Sequence, residues 1–159
     1  MKKFWISALI LYGLSFLLTN SMFYKENIEI PVDSFYANFC AKLISLLGYE
    51  VHSDSYNIIH PDNSLQIAKG CDAVLPVLLL TSTIFIFPGI ALNQKFKGAI
   101  TGLLLLATVN IIRIISLFFV GLYAKSWFDF FHVEFWQALF ILLSVWYFFA
   151  WLSRQKTSS

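Results

Sequence analysis

GAITGLLLLATVNIIRIISLFFVGLY, running from Gly98 to Tyr123, is the stretch that decides the fold. Its only charged residue is Arg113. A bilayer core about 30 Å thick takes about 20 apolar residues at about 1.5 Å of helical rise each. The run is long enough to cross with some tilt, and it carries its single cation inside the apolar length.

Three further runs have the same character. Phe4 to Phe23 is uncharged and follows Lys2 and Lys3. It is longer than the apolar part of a secretory signal and has no small-residue cleavage site after it, so it reads as a retained first span. Ala73 to Leu92 holds Pro76 and Pro88-Gly89, and Val133 to Leu152 holds Glu134 near its start. The expected spans are therefore about 4–23, 73–92, 98–123 and 133–152, with an outer segment 24–72, in one membrane domain covering 1–159.

Composition agrees: 58% of the 159 residues are hydrophobic and only 13% charged, with mean hydropathy +0.72. Soluble domains are nearer half apolar and about a quarter charged. A net charge of +2, with no basic patch interleaved with aromatics, gives no sign of a nucleic-acid partner. Cys40 and Cys71 are too few for a disulfide framework, and no C-x-x-C occurs.

Orientation follows from the cations of the short connections. Lys2 and Lys3, Lys95 and Lys97, and Arg154 and Lys156 share one side if there are four spans, with Lys125 on the other. That places both termini in the cytoplasm of a multi-pass inner-membrane protein, and 24–72 and 124–132 outside. In the outer segment, Ser34 to Gly48 is short for a span. Its Phe35, Phe39, Leu43 and Leu46 recur at helical spacing, which predicts an amphipathic helix lying in the interface. Tyr56–His60, the turn Pro61–Ser64 and Leu65–Ala68 predict a small β-hairpin. Such a hairpin can serve as a lid or as an edge for an extended peptide. The fold expected is an all-α polytopic membrane protein with that helix and hairpin outside.

Three reactive side chains arrive at one depth. Cys71 stands at the outer end of the second span beside Asp72. Fifteen residues of rise from Gly98 carry Arg113 about 22 Å across, about 8 Å short of the far boundary. His132 begins the fourth span at that same surface. An arginine in an apolar span costs about 2.5–3.5 kcal/mol and normally faces a partner or a watery cavity. A thiolate is the attacking form of cysteine, and a neighbouring imidazole or guanidinium favours it. His132 can take the thiol proton and return it to a leaving amine, and Arg113 can stabilise a thiolate or an oxyanion. Asn110, one helical turn before Arg113, can orient it or add a hydrogen bond. Asp129, three before His132, is placed to hold the imidazole tautomer, with Glu134 a weaker choice for that role. His52, His60 and His132 show no metal-ligand spacing, so no metal is expected.

Two other readings stay open. Cys40 and Cys71 both fall on the oxidising side and can pair, making a membrane thiol–disulfide protein. Alternatively the chain is a non-catalytic membrane assembly subunit whose Arg113 pairs with a partner helix.

The hairpin running into Cys71, Asn110-Ile-Ile-Arg113 late in the next span and His132 at the outer start of the last resemble, in that order, the exosortase/archaeosortase family of integral-membrane cysteine transpeptidases. The resemblance covers about the last 100 residues and fits the compact members. It implies cleavage of C-terminal sorting signals on secreted proteins, each a motif followed by a transmembrane helix and a basic tail. It also implies Cys71 as nucleophile, Arg113 as stabilising arginine, His132 as third catalytic member, a thioester acyl-enzyme, transfer to an acceptor nucleophile (water, lipid or another), the lipid bilayer as partner, and no cofactor. One departure stands beside the nucleophile: Asp72-Ala73 replaces the usual Ser-Gly.

Overall fold

The computed structural model describes residues 2–67 and 71–156. In chain order it contains helix α1 (Lys2–Thr19), a short α2 (Met22–Tyr24), a π-helical turn (Lys25–Glu29) and α3 (Ile30–Leu46). Strands β1 (His52–Asp54), β2 (Asn57–His60) and β3 (Asn63–Gln66) follow. Then come α4 (Val74–Ile86), α5 (Leu92–Tyr123), a 3-10 turn (Lys125–Trp127), a π-helix (Phe130–Phe135) and α6 (Trp136–Lys156).

Helix α5 is the axis of the molecule. It packs against α3, α4, α6 and β3, and α4 also touches α1 and α6. Leu106, Ile114, Leu117 and Phe118 of α5, Leu80 and Ile84 of α4 and Phe140 of α6 belong to one buried hydrophobic core. Close approach at the N-terminal end of α5 depends on missing side chains. A Cβ on Gly98 would lie 2.3 Å from Trp151 Nε1, and one on Gly102 would lie 2.8 Å from Tyr147 Cε1 and 2.9 Å from Leu80 Cδ2. Lipid tails are as apolar as a core, so helices in a membrane gain by close packing, and small residues permit it.

Among the described residues two segments are long and apolar enough to cross a membrane, Leu92–Tyr123 and Lys125–Gln155. Ile6–Thr19 and Met22–Leu46 make a third only if they count as one span, and they are bent by 66°. The expected second span is shortened. Its helix α4 has 13 residues, about 20 Å of rise. Pro88 explains the early stop, because the residue before a proline is pushed out of the helical region, and Phe87 is extended at φ −65, ψ 125.

The outer segment departs from expectation in two ways. Residues 22–46 form one continuous helical stretch, and its inward face is Asp33, Tyr36, Ala37, Cys40, Ala41 and Ile44. The face predicted from Phe35, Phe39 and Leu46 is the exposed one, with Leu43 half-buried between. The predicted hairpin, for its part, is a three-stranded antiparallel sheet in the order β1-β2-β3. Its last expected residue, Ala68, lies outside the described residues. Cross-strand partners Ile58 and Leu65 are both buried, so one face of the sheet packs inward. Asn63 Nδ2 donates to the Phe118 carbonyl at 3.1 Å. The absence of a side chain at Gly121 lets Asn63 approach, since a Cβ there would sit 3.0 Å from that nitrogen. The sheet is thereby fixed to the C-terminal half of α5.

Candidate active site

Cys71, Arg113 and His132 meet. Cys71 Sγ lies 3.1 Å from His132 Nε2, and Arg113 Nη2 donates to that sulfur at 3.8 Å. The same guanidinium nitrogen donates to the His132 carbonyl at 3.4 Å. Three chain segments converge: the bend before α4, the middle of α5 and the π-helix before α6. Arg113 is 7% exposed and Cys71 5% exposed, so the cation is held among protein groups. Phe140 of α6 supplies one more contact, its ring centroid 5.6 Å from Arg113 Cζ, a distance at which a cation is drawn to the ring face.

Local structure sets each orientation. Ala73 adopts a left-handed conformation, φ 57 and ψ 10, which turns the chain sharply between Cys71 and α4. Such a conformation costs an L-residue about 1 kcal/mol or more and is the usual place for glycine. Asn110, fully buried, fixes the turn from outside by donating Nδ2 to the Cys71 carbonyl at 2.8 Å. Its contact is thus with the backbone of Cys71, one turn of α5 away from the guanidinium that it was expected to orient. His132 sits in the π-helix and stacks on Phe128, 5.5 Å between centroids at 25°. Single π turns of this kind recur at functional sites.

Asp129 does not take the place expected of it, and Asp72, beside the nucleophile in sequence, is engaged elsewhere. Asp129 is exposed and makes no hydrogen bond to the His132 ring among the described residues. A π turn is wider than an α turn, so a residue three positions earlier rotates away from the imidazole and one four earlier, Phe128, covers it. Asp72 is 5% exposed but faces away from the thiol. Its Oδ2 accepts from Tyr24 Oη at 3.1 Å, and its Oδ1 accepts from the Val74 backbone at 3.2 Å. Glu29 and Asp33 are buried in the same region at 8% and 3% exposure. Sequence reasoning missed Tyr24, Glu29 and Asp33 altogether. The available signal was the spacing of Asp33, Tyr36, Ala37 and Cys40 along one helical face.

Cys40 and Cys71 are both buried, and no disulfide joins them. Among the described residues no group of His, Cys, Asp and Glu is arranged to hold a metal ion.

A cavity of about 690 Å³ opens beside the triad. Arg113 and His132 stand in its lining, with Pro76 and Leu79 of α4 and Gln137 and Phe140 of α6 nearby. It runs along the bundle as far as Tyr12, Thr83 and Phe149, where Tyr12 Oη and Thr83 Oγ1 form a hydrogen bond of 2.5 Å. Ile141, Val145 and Phe149 line it and are themselves well exposed, so its flank is open and apolar.

A family model described as transmembrane exosortase matches residues 1–150. No curated protein and no solved structure matches the chain.

Proposed function

From its membership of the transmembrane exosortase family, to which this chain belongs, we propose that it is a membrane-embedded cysteine peptidase or transpeptidase that cuts the C-terminal sorting signals of secreted proteins. The observation that carries the reading is the 3.1 Å approach of Cys71 Sγ to His132 Nε2 with the Arg113 guanidinium alongside.

The steps follow from that geometry. His132 Nε2 takes the thiol proton as the sulfur attacks the scissile carbonyl carbon, and the carbonyl π electrons move onto oxygen. Arg113, permanently protonated, faces the developing charge in a setting from which water is largely excluded. Collapse of the tetrahedral species breaks the C–N bond, and the imidazolium returns its proton to the leaving amine. A thioester to Cys71 remains. The acceptor, water or an amine, then gives a proton to His132, attacks the thioester and releases the thiolate. Asn110 holds the backbone of the nucleophile throughout.

The open flank of the 690 Å³ cavity suits a substrate that arrives with its own apolar segment. We place the site at the extracytoplasmic face of the inner membrane with both termini inside, on the distribution of Lys2, Lys3, Lys95, Lys97, Arg154 and Lys156.

The experiment is Cys71→Ala in cells that make a tailed substrate. The variant inserts and folds normally, while uncut substrate accumulates and cleavage falls by about 10⁴-fold or more. Ordinary processing by that variant would sink the proposal. A Cys40→Ala partner distinguishes the thiol–disulfide reading, since Cys40 is dispensable here and indispensable there.

A further inference from the structure

At the end of α5 remote from Cys71 a second cavity, of about 580 Å³, lies between α5 and α6. Lys97 and Arg154 line it with Gln94, Gln155, Trp146 and Trp151. Both cations are exposed at its mouth. Two polar groups of its floor are paired: Tyr147 Oη donates to the Gly98 carbonyl at 2.6 Å, and Thr101 Oγ1 donates to the Lys97 carbonyl at 2.8 Å. Those groups fix the wall and leave the cationic side chains to face outward.

The charges here have no acidic side chain to answer them. All nine carboxylates of the chain lie between Glu26 and Asp72 or at Asp129 and Glu134, so none belongs to this end of α5 or α6. Sixteen residues of α5 separate Lys97 from Arg113, about 24 Å along the helix. Against a core about 30 Å thick, that puts Lys97 and Arg154 at the headgroup level of the leaflet opposite Cys71. Trp151, less than one helical turn before Arg154, stands near the same level, where amphipathic aromatic rings collect, and Trp146 and Tyr147 lie deeper along the wall. Leu105 and Ala150 continue the wall toward the bundle centre, an apolar surface next to a cationic one.

We infer that this cavity binds an anionic phospholipid, with its phosphate between Lys97 and Arg154 and the start of its acyl chains against Leu105 and Ala150. Charge complementarity and depth select that occupant: a free anion would use the cations but not the apolar wall or the aromatic rim. Bound there, the lipid ties α5 to α6, the helices that carry Arg113 and follow His132. The site owes nothing to the proposed reaction.

The test uses the purified full chain in neutral detergent, with phosphatidylglycerol, phosphatidylcholine or inorganic phosphate added separately. Native mass spectrometry and thermal melting are the readouts. Phosphatidylglycerol is retained as a discrete adduct and raises Tm, whereas phosphatidylcholine and inorganic phosphate do neither. The double variant Lys97→Gln/Arg154→Gln binds phosphatidylglycerol about tenfold or more weakly, each cation near a lipid surface contributing on the order of a kcal/mol. A charge-matched control, Lys25→Gln/Lys125→Gln, keeps the adduct. Equal retention of both lipids, unchanged binding by the double variant, an equal loss in the control, or equal protection by inorganic phosphate would each overturn the inference.

Discussion

The two ends of α5 are built on opposite rules. Toward its C-terminal half it buries polar side chains, Asn110 and Arg113, and receives Cys71, His132 and the small sheet. Toward its N-terminus it buries glycines against aromatic rings and leaves Lys97 exposed. A buried guanidinium in an apolar helix is expensive and needs partners close by, which the first end supplies from two other segments. The second end gains from dense packing, because lipid offers no hydrophobic penalty for separating the helices. The candidate site lies where polar burial is tolerated, and close helix packing where small residues let backbones approach.

That contrast can be broken at several points. Its sharpest test is Arg113→Lys, which keeps the charge but replaces a planar fork by a compact ammonium. Cleavage falls by about 10²–10³-fold, while the melting temperature changes far less than the rate. If lysine supports near-normal turnover, the guanidinium is a structural strut and the two ends of α5 are more alike than proposed.

Gly102→Ala probes the other end. The added methyl meets Tyr147 and Leu80 at under 3 Å, and overpacking of this kind costs about 1–3 kcal/mol. Thermal melting in detergent shows the loss, and the activity of the protein that remains folded is unchanged. A fall in specific activity without a fall in stability would mean that the packing end also sets the site.

Ala73→Gly is a smaller, opposite change. Removing the methyl relieves the left-handed strain of Ala73, and part of that gain is offset by the greater freedom of glycine in the unfolded chain. Tm rises by an amount corresponding to a few tenths to about 1 kcal/mol; a fall would show that the turn is held by contacts that need the methyl. Least affected of all is Asp129→Asn, with a change in cleavage rate below about threefold. A carboxylate hydrogen bond to the imidazole would be worth about 1.5–3 kcal/mol, so a loss of about tenfold or more in a kinetic assay would restore Asp129 as the group that orients His132.

Several features could be read without coordinates. Helical rise is constant, so the position of Arg113 in its run fixed its depth, and the boundaries of the neighbouring apolar runs brought Cys71 and His132 to the same layer. Other features followed no such rule. The helix over 30–46 has aromatic and aliphatic residues on two faces, and in a membrane protein hydrophobicity alone does not tell the inward face from the outward one. The smaller side chains, Ala37, Cys40 and Ala41, mark the buried side, and with them Asp33 is carried inward toward Asp72. β1 is three residues long and exists through its pairing with β2, so alternation within it carries no signal.

By itself the sequence determined a helical membrane protein and the common layer in which Cys71, Arg113 and His132 meet, because apolar length and rise per residue are properties of a single helix. Tertiary structure alone decided which way each side chain points: Asn110 to the backbone of Cys71, Asp72 away from the thiol to Tyr24, and Phe128 rather than Asp129 over His132. Those directions depend on a left-handed turn, a π-helical register and the contacts of neighbouring segments, which distance along one helix does not encode.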